Sequence, residues 1–361
     1  MNSFAQILIA LCCTALSNTA FAELTLVASS KLEKDSTYGQ VMTKGGQSYW
    51  ILPNLNEVSP TLLSVPFTAP SVSKKIEGGI AMLPLALAQR STSSSDNLLV
   101  LASDGREPWQ AMLIDERSGK LGKKVPVKGI ALVVDATAFG TGHALGGIDE
   151  QDAAIVVLLD AALSPKKEVR FNGKKGEVSS TFVNKGKLYA IANYADASAE
   201  LHELAENGDI RSSARQKGGA ATAIALQDGG FAVTYRIGRE VYLDRLDAST
   251  KSLWSVKLHE LKGVGTKKFQ LVELPGGIGV VGGNEGHLVI ARVSGDGKTI
   301  ARSIDQASEL RVPPAGFYST IAVGNVIHVR GQARKNGAPA DGSISVFHFV
   351  DDAAPQPAVG K

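Results

Sequence analysis

The most regular feature of this sequence is a phrase of alternating apolar and polar residues that returns along most of the chain. Each copy has an alternating strand, a turn of Gly, Asn or Asp, two further alternating strands and another polar turn. Strict alternation is typical of β-strands with one buried face. Six copies recur at intervals of 43 to 48 residues. Their second strands are predicted to begin near Leu98, Ala144, Leu188, Phe231, Ile278 and Val326.

Turn residues separate the alternating segments and account for the glycine content. The chain has 38 glycines in 361 residues, and Gly, Asn and Asp supply the positive φ angles that tight hairpins require. After the third strand, most copies continue with a second turn and a fourth strand. Four antiparallel strands in about 45 residues are typical of one β-propeller blade.

The number of copies predicts seven blades in one domain. One period upstream of Leu98 lies a more divergent copy around Leu52. The apolar stretch from Leu24 to Ser29 has no partner strand nearby, so we expect it to complete the last blade and close the ring without a free sheet edge. The prediction is an all-β, seven-bladed β-propeller of four-stranded antiparallel blades. Two stacked β-sandwiches are the alternative, which the continuous period without a central linker disfavours.

This layout resembles the seven-bladed β-propeller class with WD40-like and quinoprotein-like repeats, over nearly the whole chain after residue 22. The segment LDASTKSLWSV, from Leu246 to Val256, is similar to the quinoprotein blade phrase. It departs from that phrase because Thr250 is followed directly by Lys251, without the glycine, and because Trp254 has no counterpart in the other copies. We therefore expect no cofactor, and a quinone-dependent dehydrogenase remains the least favoured function.

The first 22 residues have the features of a secretory signal peptide. They carry no charged side chain, contain an apolar run from Phe4 to Leu16 and end in Ala-Phe-Ala, which predicts cleavage before Glu23 and a single domain over 23–361. The apolar run is shorter than the roughly 20 residues that a spanning helix needs. Cys12 and Cys13 both lie in this segment, so we expect no disulfide in the mature chain. The absence of an Asn-x-Ser/Thr acceptor favours a bacterial periplasmic or secreted protein.

No catalytic or metal-binding motif is found in the sequence. The six histidines are never closer than twenty residues; His328 and His348 are the best candidate pair because they fall on adjacent predicted strands. Gly-x-Ser-x-Gly, HExxH and CxxC motifs are absent. The net charge of +3, from 38 Lys and Arg against 35 Asp and Glu, does not favour nucleic acid as a partner. We predict neither catalytic residues nor a metal site.

Lysine pairs recur at nearly the period of the repeat. If the connectors between blades lie on one face, these pairs form a broken ring of positive charge, with a lone Lys217 in the gap, that attracts an anionic partner. The alternative is that the lysines only solubilise connectors and protect sheet edges. Loops with Asp149, Glu150 and Asp152 would make the same face mixed. The candidate ligand-binding residues are Lys74, Lys75, Lys123, Lys124, Lys174, Lys175, Lys267 and Lys268.

These observations favour a non-catalytic protein-binding scaffold of the bacterial envelope. Its expected partner is another protein with an acidic surface, and no membrane span is expected after cleavage of the signal. The segment from Gly331 to Ser343 is predicted to be a long basic loop and a first candidate contact. The alternative from another class is a glycan-acting hydrolase or lyase, which would need two carboxylates, or a carboxylate and a histidine, at the mouth of the channel.

Overall fold

The computed structural model of the protein is all-β. It describes residues 24–31, 41–44, 47–52, 61–66, 72–75, 83–89, 97–103, 108–115, 117–262, 269–284, 287–298, 300–304, 319–323, 326–335 and 338–351. Residues 1–22, which are predicted to be a signal peptide, and the pair Lys267 and Lys268 lie outside these residues. Among the residues described, no helix is long and apolar enough to cross a membrane.

The described residues form antiparallel strands, and most strands pair with the next one along the chain. In chain order they are β1 (Leu24–Lys31), β2 (Val41–Lys44), β3 (Gln47–Leu52), β4 (Thr61–Pro66), β5 (Val72–Lys75), β6 (Leu83–Gln89), β7 (Asn97–Ser103), β8 (Trp109–Asp115), β9 (Val125–Val127), β10 (Leu132–Phe139), β11 (Gly142–Ile148), β12 (Ala153–Leu159), β13 (Pro165–Asn184), β14 (Lys187–Tyr194), β15 (Ala199–Leu204), β16 (Ile210–Gln216), β17 (Gly219–Ala225), β18 (Phe231–Ile237), β19 (Glu240–Leu246), β20 (Ser252–Lys262), β21 (Gln270–Leu274), β22 (Gly277–Asn284), β23 (His287–Ser294), β24 (Ile300–Ile304), β25 (Ser319–Val323), β26 (Val326–Lys335) and β27 (Ala338–Asp351).

Most sheets contain four strands that are consecutive in sequence. These are β2-β3-β4-β5, β6-β7-β8-β9, β17-β18-β19-β20 and β21-β22-β23-β24. In the order β1-β27-β26-β25, the first strand of the chain lies beside the last. The strands β10 to β16 are joined because the first half of the 20-residue strand β13 pairs with β12 and its second half pairs with β14.

The strand boundaries confirm the repeating phrase found in the sequence. The second strands β7, β11, β14, β18, β22 and β26 begin at or within two residues of the predicted positions. The predicted loop from Gly331 to Ser343 is corrected, because β26 and β27 continue through most of it as a hairpin in which Arg334 pairs with Pro339 and Lys335 with Ala338. A register shift between Gln332 and Arg334 lets the ladder continue beyond Gly331.

Five turns between third and fourth strands, in the part of the chain that the structure describes, share one backbone form. In each, a residue with positive φ donates its N–H back to a carbonyl three or four residues earlier. Gly119, Gly208 and Gly297 fill this position in three turns, as the geometry favours. Leu163 and Thr250 fill it in two others, at φ of 67° and 68°. In the turn where the sequence lacks a glycine, the β-branched Thr250 itself therefore adopts the left-handed conformation.

The core consists of separate apolar layers between neighbouring sheets. In one layer, Leu101 and Trp109 pack with Val133 and Ile155 of the next sheet. The strand β12 is buried along its whole length, as expected for a strand covered on both faces. Close packing leaves little room: a Cβ on Gly146 would lie 2.6 Å from a methyl group of Val178.

Three hydrogen bonds between neighbouring repeats connect residues that are about one repeat apart. The three examples span 46, 45 and 46 residues and lie outside the strand ladders. They are Thr181 N–H to Asp135 Oδ2 at 2.5 Å, Asn184 Nδ2 to the Gly229 carbonyl at 2.8 Å, and Gln227 N–H to the Glu273 carboxylate at 3.0 Å. These three bonds therefore join corresponding positions of successive repeats, whereas other bonds between sheets, such as that from Ser179 to Ala221, have a different spacing of 42 residues.

Candidate binding site

The lysine pairs chosen from the sequence occupy two kinds of position. Lys74 and Lys75 end β5, the outermost strand of its sheet, opposite Leu62 and Thr61. Lys123 and Lys124 come directly before the outermost strand β9 and are exposed. Neither of this second pair makes a hydrogen bond or ion pair with any residue that the structure describes.

Lys174 and Lys175 lie instead at the middle of β13, where the chain passes from one sheet to the next. Both are exposed and both are ion-paired: Lys175 Nζ is 3.0 Å from Asp152 Oδ2, and Lys174 Nζ is 3.3 Å from Asp196 Oδ2. The Lys174 ammonium also lies 5.3 Å from the centre of the Tyr194 ring. The acidic loops thus offset the charge of this lysine pair, while its binding role stays a prediction.

The lone lysine of the series, Lys217, is also paired. Its Nζ lies 3.0 Å from Oδ2 of the buried Asp244, and the hydroxyl of Tyr235 donates to Oδ1 of the same carboxylate at 2.9 Å. The hydrogen bond to Asp244 raises the pKa of Lys217. Lys217 precedes β17, so it fastens this connector to the sheet that follows.

A groove opens beside Lys175, where three successive sheet units meet. Its volume is about 780 Å³. The ends of β11, β14 and β18 form it together with the second half of β13 and the start of β17, and the residues important for its chemistry are Asp152, Lys175, Glu177, Tyr194, Ala220 and Arg236. The pattern of the sequence identified Lys175 but missed Glu177, Tyr194 and Arg236. In the sequence, Glu177 is marked only as an isolated acidic residue directly after the Lys-Lys-Gly connector.

Short turns with internal hydrogen bonds form the rim of the groove. Oδ1 of the buried Asp149 accepts the N–H of Ala153 at 2.8 Å, and its Oδ2 is 2.9 Å from Arg170 Nε. Burial favours protonation of Asp149, but the Ala153 N–H and Arg170 outweigh it and hold its pKa below the usual range. In the next turn, hydrogen bonds from Ser198 lower the pKa of Asp196 to about 2. The rim is therefore fixed before any ligand arrives.

The backbone under the groove is held by a side chain that bridges two sheets. The Asn193 amide donates to the Ala221 carbonyl at 3.0 Å and accepts the Ala221 N–H at 2.6 Å. Ala221 lies in a bulge of β17 between Gly219 and Thr222, where the ladder leaves backbone groups without their usual partners. The Ser179 hydroxyl donates to the same carbonyl at 2.6 Å. These bonds fix the position of the start of β17.

Tyr194 extends from the groove to a buried histidine. Its hydroxyl lies 3.3 Å from His202 Nε2 and donates to Glu200 at 3.2 Å. The other imidazole nitrogen of His202 is 2.6 Å from the Ser213 hydroxyl, and the ring stacks on Phe171 at 4.3 Å. Burial lowers the pKa of His202 to about 4, although the Glu200 carboxylate opposes the shift. His202 is therefore neutral at physiological pH and is part of the core under the groove.

Metal-binding geometry is not found in the part of the chain that the structure describes, where no group of three His, Cys, Asp or Glu side chains converges. The candidate histidines His328 and His348 are directly opposite each other on β26 and β27. A second depression of about 530 Å³ includes Phe139, Lys187 and Arg211. It lies at the other ends of the strands, beside the turns that follow β10, β13 and β15.

Comparisons with known proteins give a fold but no family. No protein-family model matches the sequence, and no curated protein matches it. The β-propeller domain of Myceliophteria thermophila Cps50 (Swd1) is similar in structure, with a TM-score of 0.57 and 13% identity over 90% of this chain and 99% of that domain.

Two further solved structures are similar over comparable lengths. The WD40 domain of Toxoplasma gondii coronin gives a TM-score of 0.54 with 14% identity, covering 93% of this chain and 90% of that one. BBS1N, solved in complex with ARL6DN, gives 0.59 with 10% identity, covering 92% and 99%. The structural neighbours of this all-β, antiparallel chain are thus β-propeller and WD40 domains.

Proposed function

We propose that this protein is a non-catalytic, seven-bladed β-propeller that binds another protein through the face containing the groove. Contact between β25 and β2, and pairing of β1 with β27, support closure of the ring. If β13 is divided at its middle, the sheets form seven units of four strands. BBS1N, one of the structurally similar proteins, was solved with a protein partner.

The observation that carries the proposal is the preformed groove between neighbouring sheets. Its rim is fixed by hydrogen-bonded turns, so binding requires little ordering of the chain. Exposed Ala195 lines the groove. Lys174 and Lys175 are proposed to contact an acidic surface of the partner. Lys123 and Lys124, which pair with no residue that the structure describes, follow β8 within their own sheet and are proposed to add to this contact from outside the groove. Lys74, Lys75, Lys267 and Lys268 are proposed to extend this contact around the ring.

We further propose that the protein is exported and acts in the periplasm or outside the cell, with Glu23 as its first residue. The pattern of residues 1–22 supports this proposal. Intact-mass measurement of protein from the periplasmic fraction and the medium tests it. A protein that keeps residues 1–22 and stays in the cytoplasm contradicts it.

The binding proposal is tested by blocking the groove. Ala195→Trp fills the groove from an exposed position, and Ala248→Trp places the same side chain in the exposed turn between β19 and β20 as a matched control. We expect a partner captured from an envelope extract by the native protein to be lost with Ala195→Trp and kept with Ala248→Trp. Charge reversal at Lys174 and Lys175 is expected to weaken capture. Capture that none of these changes affects refutes the proposed function.

A further inference from the structure

The groove contains an acidic side chain, Glu177, that forms no ion pair or hydrogen bond with any residue that the structure describes. We propose that Glu177 receives a basic side chain, lysine or arginine, from the partner protein. This inference rests on the proposed function and adds the chemistry by which the groove recognises its partner. The pattern of lysine pairs in the sequence pointed only to acidic partners.

The charged side chains that line the groove differ in whether they have partners within the structure. Lys175 is held by Asp152 at 3.0 Å, and Arg236 is already engaged in an interaction of its own. Glu177 is half-buried, and within the described ranges no residue makes an ion pair or hydrogen bond with its carboxylate. Because Lys175 and Arg236 are each engaged elsewhere, Glu177 is the lining charge that is left to pair with a ligand, and a cation complements it better than an anion.

The position of Glu177 is fixed by its strand. It lies in the second half of β13, directly opposite Asn193 in the ladder. Asn193 is bonded to the Ala221 backbone on both sides of its amide, so it is not available to turn toward Glu177. Gly176, the preceding residue, donates its N–H to the Asp152 carbonyl at 2.8 Å. The carboxylate is therefore carried by backbone that is tied to the rim of the groove.

The walls of the groove suit the aliphatic part of a basic side chain. Ala195, Ala197 and Ala220 line it with methyl groups, and Gly219 adds no side chain. Lysine and arginine bury their methylene stems against apolar surface while their charged ends reach a polar partner. If the partner's basic residue has acidic neighbours, its cation would pair with Glu177 and the acidic neighbours would contact the lysines of the rim.

Short peptides test this recognition without knowledge of the partner. The probes are the blocked tripeptides Ala-Lys-Ala and Ala-Arg-Ala, with acetyl-lysine and citrulline versions as neutral controls. Binding is followed by NMR shifts of the backbone amides of Ala195, Ala197 and Gly219. We expect saturable shifts at these amides with a basic peptide and at least tenfold weaker binding of its neutral control.

Variants then assign the binding to Glu177. Glu177→Gln is expected to weaken binding of the basic peptide at least tenfold, whereas Glu150→Gln, which removes an exposed carboxylate from the turn after β11, leaves it unchanged. Thermal unfolding checks that both variants are folded; if Glu177→Gln is not, the tenfold preference for basic over neutral peptides in the native protein decides. Equal binding of basic and neutral peptides, or of native protein and Glu177→Gln, overturns the inference.

The two proposals can fail separately. If Ala195→Trp abolishes partner capture and the native protein binds no basic peptide at the groove, the binding function stands and recognition through Glu177 is wrong. If basic peptides bind but partner capture is insensitive to Ala195→Trp, the proposed function fails, and with it the assignment of a protein partner to this groove.

Discussion

Acidification is expected to destabilise this protein through His202, above the pH at which most carboxylates titrate. The imidazole is 1% exposed, and burial lowers its pKa from 6.5 to about 4. Between pH 6.5 and about 4, this imidazole is therefore protonated in the unfolded chain but neutral in the folded protein. Because the unfolded state holds more protons in this window, the free energy of unfolding falls as the pH falls from 6.5 toward 4.

The size of the effect follows from the pKa difference. One pKa unit corresponds to about 1.4 kcal/mol, so the full shift of His202 from 6.5 to about 4 corresponds to about 3 kcal/mol. By pH 5, which lies 1.5 units below the unfolded value, about 2 kcal/mol of this is already lost relative to pH 7.5. Such a loss is a large part of the 5–15 kcal/mol typical of a folded domain.

Urea unfolding at pH 7.5, 6.5, 5.5 and 5.0 measures this contribution. His202→Gln cannot take up a proton, so we expect its free energy of unfolding to change by about 2 kcal/mol less than that of the native protein between pH 7.5 and 5.0. His259→Gln, at an exposed position of β20, controls for the loss of a histidine as such. Equal pH dependence in the native protein and His202→Gln would show that the buried imidazole does not control acid stability.

Two further pairs of substitutions test a strained turn and a side-chain bridge between sheets. Thr250→Gly is expected to stabilise the protein by about 0.5–1 kcal/mol, because the strain energy of the left-handed conformation that is relieved exceeds the entropy that the glycine adds to the unfolded chain. Leu163→Gly, in the equivalent turn, is expected to destabilise the protein because Leu163 is buried. Urea midpoints measure both, and a destabilised Thr250→Gly contradicts the argument. Asn193→Ala is expected to cost about 2 kcal/mol by leaving the buried Ala221 N–H without an acceptor, against less than about 0.5 kcal/mol for the exposed Asn207→Ala; equal losses contradict a bridging role for Asn193.

Local patterns predicted the strands well because each strand and turn depends on nearby residues. The alternation around Leu188 and Phe231 located β14 and β18 to within one residue, since a strand displays its buried face every second position. The predicted loop after Gly331 was wrong because the Gly, Pro and Asn residues there are accommodated by a register shift and a hairpin end. Turn composition alone does not show where a ladder continues.

The candidate site was predicted only in part because its geometry is not local. Lys174 and Lys175 stood out by their spacing, but their partners Asp196 and Asp152 lie more than twenty residues away in sequence. No periodic pattern links Glu177 to these residues. The environment of Glu177 depends on how three sheets pack together. The sequence indicates this packing only through the length of the repeat.

The strand β13 gives the joint beside the groove a mechanical property that a flexible loop would lack. Its 20 residues form one continuous strand that pairs first with β12 and then with β14, and Gly173, just before the crossing, has a left-handed φ of 62°. At the crossing, the Gly176 N–H bonds to the preceding turn and the Lys175 carbonyl accepts the N–H of Ala195 in the following one. Because opening either sheet here would disturb the other, we expect the two to be coupled in local unfolding and their junction to be cleaved slowly by proteases.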